Sequence, residues 1–112
     1  MMLYNLYMIV VPTTRILSSS LGSKPIPMEL VDSMRRDVKI ILASTFGGFT
    51  ETKGRGGYVS DAGDLIEEDV YQITAWAKHR NDGVIHKLVE IVKTRLQQET
   101  VFYQINEQAY IE

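Results

Sequence analysis

The sequence predicts one α+β domain in which strands and helices follow the order β-α-β-β-α-β. Three observations lead to this prediction. Two long stretches carry apolar residues at helical spacing, four shorter stretches are β-branched or alternate in polarity, and glycine, proline and Asn-Asp-Gly mark the boundaries between them. A length of 112 residues suits one domain with one core, so we expect residues 1–112 to fold as a single unit.

The first half of the chain predicts a strand, a loop and a helix. Leu6 to Val11 is an apolar run ended by a proline, which is typical of a strand buried on both faces. Residues 13–27 contain three consecutive serines, a glycine and two prolines, and they predict a loop. The helix begins at Pro27 and ends at a glycine pair after Phe46. Its apolar face consists of Leu30, Val31, Met34, Val38, Ile41, Leu42 and Phe46.

The second half predicts a hairpin, a second helix and a last strand. Residues 49–59 and 65–77 form the two strands of the hairpin, with residues 60–64 as its turn. A helix capped by Asn-Asp-Gly continues to about Gln97, and residues 100–105 alternate in polarity as a strand does. This order defines the ferredoxin-like βαββαβ arrangement, a four-stranded antiparallel sheet with two helices on one face.

Two helices on one face leave the other face of such a sheet without cover. The first predicted strand is apolar on both sides, and the third carries Val70 and Trp76 opposite Tyr71 and Ile73. Monomeric proteins rarely expose a large apolar patch. We therefore expect a homo-oligomer, most simply a dimer, that assembles through the open sheet face.

Composition and charge exclude several classes of partner. The formal charge of −2 and the pI of about 5.7 give no field that favours nucleic acid. The apolar amino terminus lacks a basic start and is too short for a membrane span, so we expect a buried strand there. The absence of cysteine is typical of a reducing compartment, and we expect a cytoplasmic protein with no nucleic-acid or membrane partner.

The glycine-rich stretch of residues 47–69 is the sequence's strongest candidate for a binding site. It holds six of the eight glycines, together with two cations and an aromatic side chain. We predict that Thr50, Lys53, Arg55 and Tyr58 line a site for a small anionic ligand, since free backbone N–H groups and cations hold phosphate or carboxylate. The alternative is a solvated strand whose charges prevent edge-to-edge aggregation.

The consecutive acidic residues Glu67, Glu68 and Asp69 allow two interpretations. A carboxylate pair or a divalent-cation site is one, and charge pairing across the hairpin with Lys53 or Arg55 is the other. The only two histidines stand seven residues apart, so we predict no metal site and no cofactor. No set of acid, base and nucleophile occurs at a recognisable spacing, and an enzyme is therefore the third choice of function.

Three motifs follow one another across the predicted hairpin: Gly48-Phe49-Thr50, Arg55-Gly56-Gly57-Tyr58 and Gly63 to Glu67. In these motifs and in its order of elements the chain resembles uncharacterised small bacterial and phage proteins of the ferredoxin-like class. The architecture is also similar to that of PII-type signalling proteins, which bind nucleotides between subunits. The resemblance implies a fold and oligomerisation, and it implies no particular activity.

These observations together favour a non-catalytic oligomeric module. In this hypothesis the glycine-rich cationic hairpin binds a small anionic ligand, with a nucleotide among the candidates. The alternative is a phage or regulatory protein that binds and inhibits a host protein through its free surface.

Overall fold

The structure, a computed structural model, describes residues 4–18 and 22–112. Its strands and helices confirm the predicted α+β class. In chain order they are β1 (Asn5–Pro12), β2 (Thr14–Ser18), β3 (Gly22–Pro25), α1 (Met28–Phe46), β4 (Thr50–Val59), β5 (Leu65–Ala77), α2 (Asp82–Leu96), β6 (Phe102–Ile105) and β7 (Gln108–Ile111).

The main sheet has five antiparallel strands in the order β4-β5-β1-β6-β7. The four-stranded prediction is corrected here, because β7 folds back onto β6 and adds a fifth strand. The reversal takes place at Asn106, which has a φ of 55°. Asparagine tolerates this left-handed conformation better than most residues do. A strand of four residues is too short to show a periodicity of its own.

Residues 13–27, predicted to be a loop, contain the antiparallel pair β2 and β3. Polar contacts hold this pair beside β5. The Thr13 hydroxyl donates to the Asp69 carbonyl, and the Thr14 hydroxyl donates to the Glu68 carboxylate. Such contacts leave no apolar pattern in the sequence, which explains why the pair was missed. Residues 19–21, which include two of the three consecutive serines, lie outside the described part.

Both helices pack on the same face of the main sheet and bury one core. On the side that faces the helices, Tyr7, Ile9 and Val11 of the central strand β1 are fully buried, and the second half of β5, from Tyr71 to Ala77, is buried at its alternate positions. The largest of these core side chains are Tyr7, Ile9, Met34, Leu42, Ile73, Ile85, Leu88, Leu96 and Tyr103. Apolar periodicity predicted this core because it records which side of each element faces the helices.

The opposite side of the sheet, which we call the open face, carries the alternate residues of the same strands. In β5 these are Ile66, Glu68, Val70, Gln72, Thr74 and Trp76, and β6 adds Phe102. Trp76 is 59% exposed, whereas Ile73 is completely buried under the helices. The two residues lie three positions apart in one strand, so their side chains point to opposite faces.

The β4–β5 hairpin requires glycine at one position. A Cβ atom on Gly57 would lie 2.8 Å from the backbone oxygen of Ile66 on the facing strand. At Gly54, by contrast, a Cβ would meet no atom within 4 Å. Part of the glycine-rich stretch therefore serves close strand packing.

Neither helix of the described part is long and apolar enough to cross a membrane.

Candidate functional site

The hairpin cations Lys53 and Arg55 lie on the helix side of the sheet, where they pair with acidic residues of β5. Lys53 Nζ lies 3.5 Å from Asp69 Oδ2, and Arg55 Nη1 lies 3.1 Å from Asp69 Oδ1. A second Arg55 nitrogen, Nη2, lies 3.5 Å from Glu67 Oε2. The hydrogen bond between Arg55 and Asp69 raises the pKa of the arginine and lowers the pKa of the carboxyl group. Charge pairing across the hairpin is thus the interpretation that the geometry favours for Glu67 and Asp69, whereas the Glu68 carboxylate accepts a hydrogen bond from Thr14.

Thr50 and Tyr58 lie on the open face, across the sheet from the two cations. They stand opposite Thr74 and Ile66 of β5, at the two ends of the hairpin. At about 3.3 Å per residue they are roughly 26 Å apart. The structure therefore brings Lys53 and Arg55 together and separates Thr50 and Tyr58 from them. The assignment of all four as ligand-binding residues stays a prediction.

Three clefts surround Trp76 at one end of the sheet, and we call them the Trp76 clefts. The first, of about 390 Å³, is lined by Tyr4, Thr45, Phe46, Trp76, Ala77, Lys78, His79, Arg80 and Asn81. The second, of about 780 Å³, is lined by Tyr4, Asn5, Leu6, Trp76, Arg80, Gln104, Ile105, Asn106, Glu107 and Gln108. The third, of about 280 Å³, is lined by Phe46, Gly47, Gly48, Phe49, Thr50, Thr74, Ala75 and Trp76. Thr50 is the one predicted site residue among them.

The walls of the Trp76 clefts are unusually rich in exposed aromatic rings. Trp76 is 59% exposed, Tyr4 is 47% exposed and Phe49 is 45% exposed. Large apolar side chains usually bury their surface, and a contiguous exposed group of them marks a binding site or an interface. Flat aromatic faces can stack on a heterocyclic base and can attract a cation through the ring quadrupole.

The local sequence explains how these rings meet. Trp76 takes the outward position next to the end of β5, and Tyr4 precedes β1, which pairs there with β5. Phe46 ends α1, and Gly47, with a φ of 95°, turns the chain towards Phe49 and β4. A positive φ of this kind favours glycine, which has no Cβ to clash. Segments far apart in sequence therefore converge on one end of the sheet.

Beneath the first cleft, a buried hydroxyl links β1 to the start of α2. The Tyr7 hydroxyl donates to Asp82 Oδ1 over 2.8 Å and accepts from the Asn81 backbone N–H over 2.7 Å. The Tyr7 ring stacks on Phe46 at 4.8 Å between centroids. Burial, followed by the hydrogen bond to the Asp82 carboxylate, raises the pKa of the Tyr7 hydroxyl, so the group stays protonated at neutral pH.

Asp82 in turn holds the guanidinium of Arg80, which borders the first and second clefts. Arg80 Nε donates to Asp82 Oδ1 and Oδ2 over 3.1 and 3.0 Å, and Nη2 donates to Oδ2 over 3.0 Å. The hydrogen bonds from Arg80 lower the pKa of Asp82, and the same contact raises the pKa of Arg80. The pair is therefore ionised at neutral pH, and its guanidinium, 60% exposed, borders both clefts.

Sequence reasoning missed most of this site. Tyr7 does lie in the predicted buried strand and Asn81 at the predicted helix cap, but no spacing in the sequence linked either residue to Trp76. The available signal was an outward indole at a strand end, followed directly by the polar run Lys78 to Asn81. Within the described ranges, no group of three or more His, Cys, Asp or Glu side chains is arranged to hold a metal ion.

Comparison with known proteins identifies similar folds. No family model matches this sequence, and no curated protein matches it either. A solved structure of a phage SAM lyase in complex with S-methyl-5'-thioadenosine aligns with a TM-score of 0.66 and 18% identity, covering 97% of this chain and 88% of that one. The phage SAM lyase in its apo state aligns with a TM-score of 0.67, also at 18% identity, over 96% and 87% of the two chains.

A third solved structure, a Bacillus cereus protein related to NIF3, aligns with a TM-score of 0.55 and 14% identity. It covers 97% of this chain but only 28% of that one. At these identities the likeness shows a shared fold. The similar structures are thus those of phage and bacterial proteins, the two groups that the hairpin motifs resemble.

The comparison contradicts the predicted function. A non-catalytic module that binds an anionic ligand through its hairpin is at odds with neighbours of nearly the same length that are structures of a lyase. The alternative, an inhibitor of a host protein, gains no support from these structures. The prediction is wrong because a sequence without an acid, a base and a nucleophile at recognisable spacing can still belong to an enzyme.

Proposed function

We propose that this protein is an enzyme that binds S-adenosylmethionine in the Trp76 clefts and cleaves it to S-methyl-5'-thioadenosine. The observation that carries the proposal is the group of exposed aromatic rings around clefts of about 390 and 780 Å³. Sites for small molecules typically occupy 300–1,000 Å³. The lyase structures that share the fold supply the reaction class, and the strand order is in keeping with a ferredoxin-like arrangement.

The chemistry of a sulfonium substrate explains why no catalytic set is required. When the bond between sulfur and the aminoalkyl carbon breaks, both electrons remain on sulfur and the sulfonium becomes a neutral thioether. That leaving group needs no proton. In the same step, either the substrate's own carboxylate oxygen bonds the carbon, which gives a lactone, or that carboxylate takes a proton from the neighbouring carbon, which gives an alkene. The enzyme's task is to hold the substrate in the reactive conformation and to keep water away.

Aromatic walls suit both parts of such a substrate. An indole or phenyl face can stack on the adenine base, and a ring face also attracts the sulfonium by a cation–π interaction. Trp76 borders all three clefts, so one ring can contact the base and the sulfonium centre together. Thr50 and Thr74, in the third cleft, offer hydroxyl groups that can bond the edge of a base.

The open face supports a second part of the proposal, namely that the protein acts as a homo-oligomer. Trp76 and Phe102 stay exposed on this face, and the Trp76 clefts open beside it. A second copy on the open face would bury these rings and close the clefts against water. Light scattering at micromolar concentration is expected to give a multiple of the 12.7 kDa chain mass. A monomer under those conditions would contradict this part.

The proposed activity is tested directly with the purified protein and S-adenosylmethionine. We expect S-methyl-5'-thioadenosine to accumulate with protein concentration, as measured by chromatography and mass spectrometry. The second product distinguishes the two routes, because a lactone and an alkene differ in structure and in their exchange of solvent deuterium. A heat-denatured sample is the control for spontaneous breakdown. No accumulation above that control, at any protein concentration, would refute the proposal.

A further inference from the structure

We propose that Arg80 binds the carboxylate of the substrate's amino-acid portion, and that Tyr7 positions Arg80 by acting through Asp82. This inference rests on the proposed function, since it assigns one end of the same substrate to one end of the same site. It places the aminoalkyl chain between Arg80 and the indole of Trp76.

The hydrogen bonds of Arg80 leave one side of its guanidinium available. Nε and Nη2 donate to the two carboxylate oxygens of Asp82, whereas Nη1 makes no hydrogen bond to any residue in the described ranges. Arg80 borders both the first and the second cleft, beside Tyr4 and Trp76. A guanidinium held on one edge by a carboxylate can still bind a second carboxylate, because its five donors point in fixed directions.

The position of Arg80 depends on a residue inside the core. Tyr7 is fully buried, and its hydroxyl is occupied on both sides, by Asp82 as acceptor and by the Asn81 N–H as donor. The Asp82 carboxylate thus accepts hydrogen bonds both from the buried Tyr7 hydroxyl and from the Arg80 guanidinium. An arginine on the surface otherwise samples many rotamers, and ordering it on ligand binding would cost affinity. Because the Tyr7 hydroxyl fixes Asp82, Arg80 is partly ordered before a ligand binds, and it loses less rotamer entropy on binding.

The proposal predicts different effects of Arg80 on the affinities for two ligands that differ at one end. S-adenosylmethionine carries the carboxylate, whereas S-methyl-5'-thioadenosine lacks the whole aminoalkyl group. An arginine that binds the carboxylate affects the affinity for the first ligand and leaves the second unchanged. An arginine with a purely structural role would change the affinities for both ligands alike.

The experiment measures both dissociation constants by titration calorimetry, with the substrate titrated at low temperature to limit turnover. We expect Arg80→Met to weaken S-adenosylmethionine binding about 10- to 100-fold, as for the loss of a charged hydrogen bond. S-methyl-5'-thioadenosine binding should change less than about twofold. Arg95→Met is the matched control, because Arg95 also pairs with an aspartate, Asp37, but lines none of the Trp76 clefts. We expect it to alter neither constant.

Two further variants keep the proposal falsifiable if Arg80→Met does not fold. Arg80→Lys retains the charge but cannot contact two carboxylates with a planar fork, so the loss should again be confined to S-adenosylmethionine. Tyr7→Phe should reduce the preference for S-adenosylmethionine in the same direction by a smaller factor. Equal effects on both ligands, or none, would overturn the role of Arg80. If the wild-type protein binds neither ligand, the proposed function itself fails, and this inference falls with it.

Discussion

Ile73→Asp is expected to unfold the protein. Ile73 is fully buried on the helix side of β5, the strand next to the centre of the main sheet. The substitution removes an apolar side chain, worth about 2–5 kcal/mol in a core, and forces an unpaired carboxyl group into its place. The combined cost, about 5 kcal/mol or more, is comparable to the whole stability of a small domain.

The neighbouring residue Gln72 provides the matched control, because it occupies the same strand but is exposed on the open face. We expect Gln72→Asp to lower the free energy of unfolding by less than about 1 kcal/mol. Urea unfolding followed by circular dichroism measures both variants. An Ile73→Asp protein that keeps a cooperative transition near the wild-type midpoint would show that the core does not lie on this face.

Trp76→Ala is expected to have the largest effect on activity. Trp76 borders all three clefts and is more than half exposed, so its indole contributes more to the site than to the core. Stacking on one base is worth about 1–3 kcal/mol, and a cation–π contact adds about 0.5–2 kcal/mol. The sum, about 1.5–5 kcal/mol, corresponds to a loss of about 10- to 5,000-fold in the rate of S-adenosylmethionine cleavage at low substrate concentration. The thermal midpoint should change little.

Phe102→Ala tests whether the activity depends on the Trp76 clefts or on the open face as a whole. Phe102 is an exposed aromatic residue on that face, and it lines none of the Trp76 clefts. As long as the oligomer stays intact, its loss should leave the cleavage rate per folded active site close to wild type. If Phe102→Ala in an intact oligomer reduces the rate as much as Trp76→Ala does, the aromatic clefts are not the site. Light scattering on both variants distinguishes these results.

The fold was predictable where burial leaves a repeating pattern. β5 spans residues 65–77 in both the prediction and the structure, and the two helices begin and end within a few residues of their predicted bounds. The β2–β3 pair was not predictable in this way, because its contacts to β5 are made by hydroxyl groups of Thr13 and Thr14. The strand β7 has four residues, which is too few to display a period.

The site was harder to predict than the fold, because it depends on where distant segments meet. Tyr4, Phe46 and Trp76 belong to three different parts of the chain, and no spacing between them carries a signal. The hairpin cations drew attention through their glycine-rich setting, yet facing acidic residues pair with both of them. The proposed reaction has a neutral leaving group and would leave no acid–base motif in the sequence, which is why the sequence favoured a non-catalytic module.

Because β1 lies at the centre of the sheet, it cannot pair with its neighbours until later parts of the chain have been synthesised. This strand, from the amino-terminal end of the chain, lies between β5 and β6, and Asn5 faces Ala77 while Tyr7 faces Ile105. While the ribosome is still producing α1, an apolar strand therefore has neither neighbour available. Closing such long loops is entropically costly and slows folding. Until β6 emerges, at least one edge of β1 stays unpaired and is open to pairing with another chain.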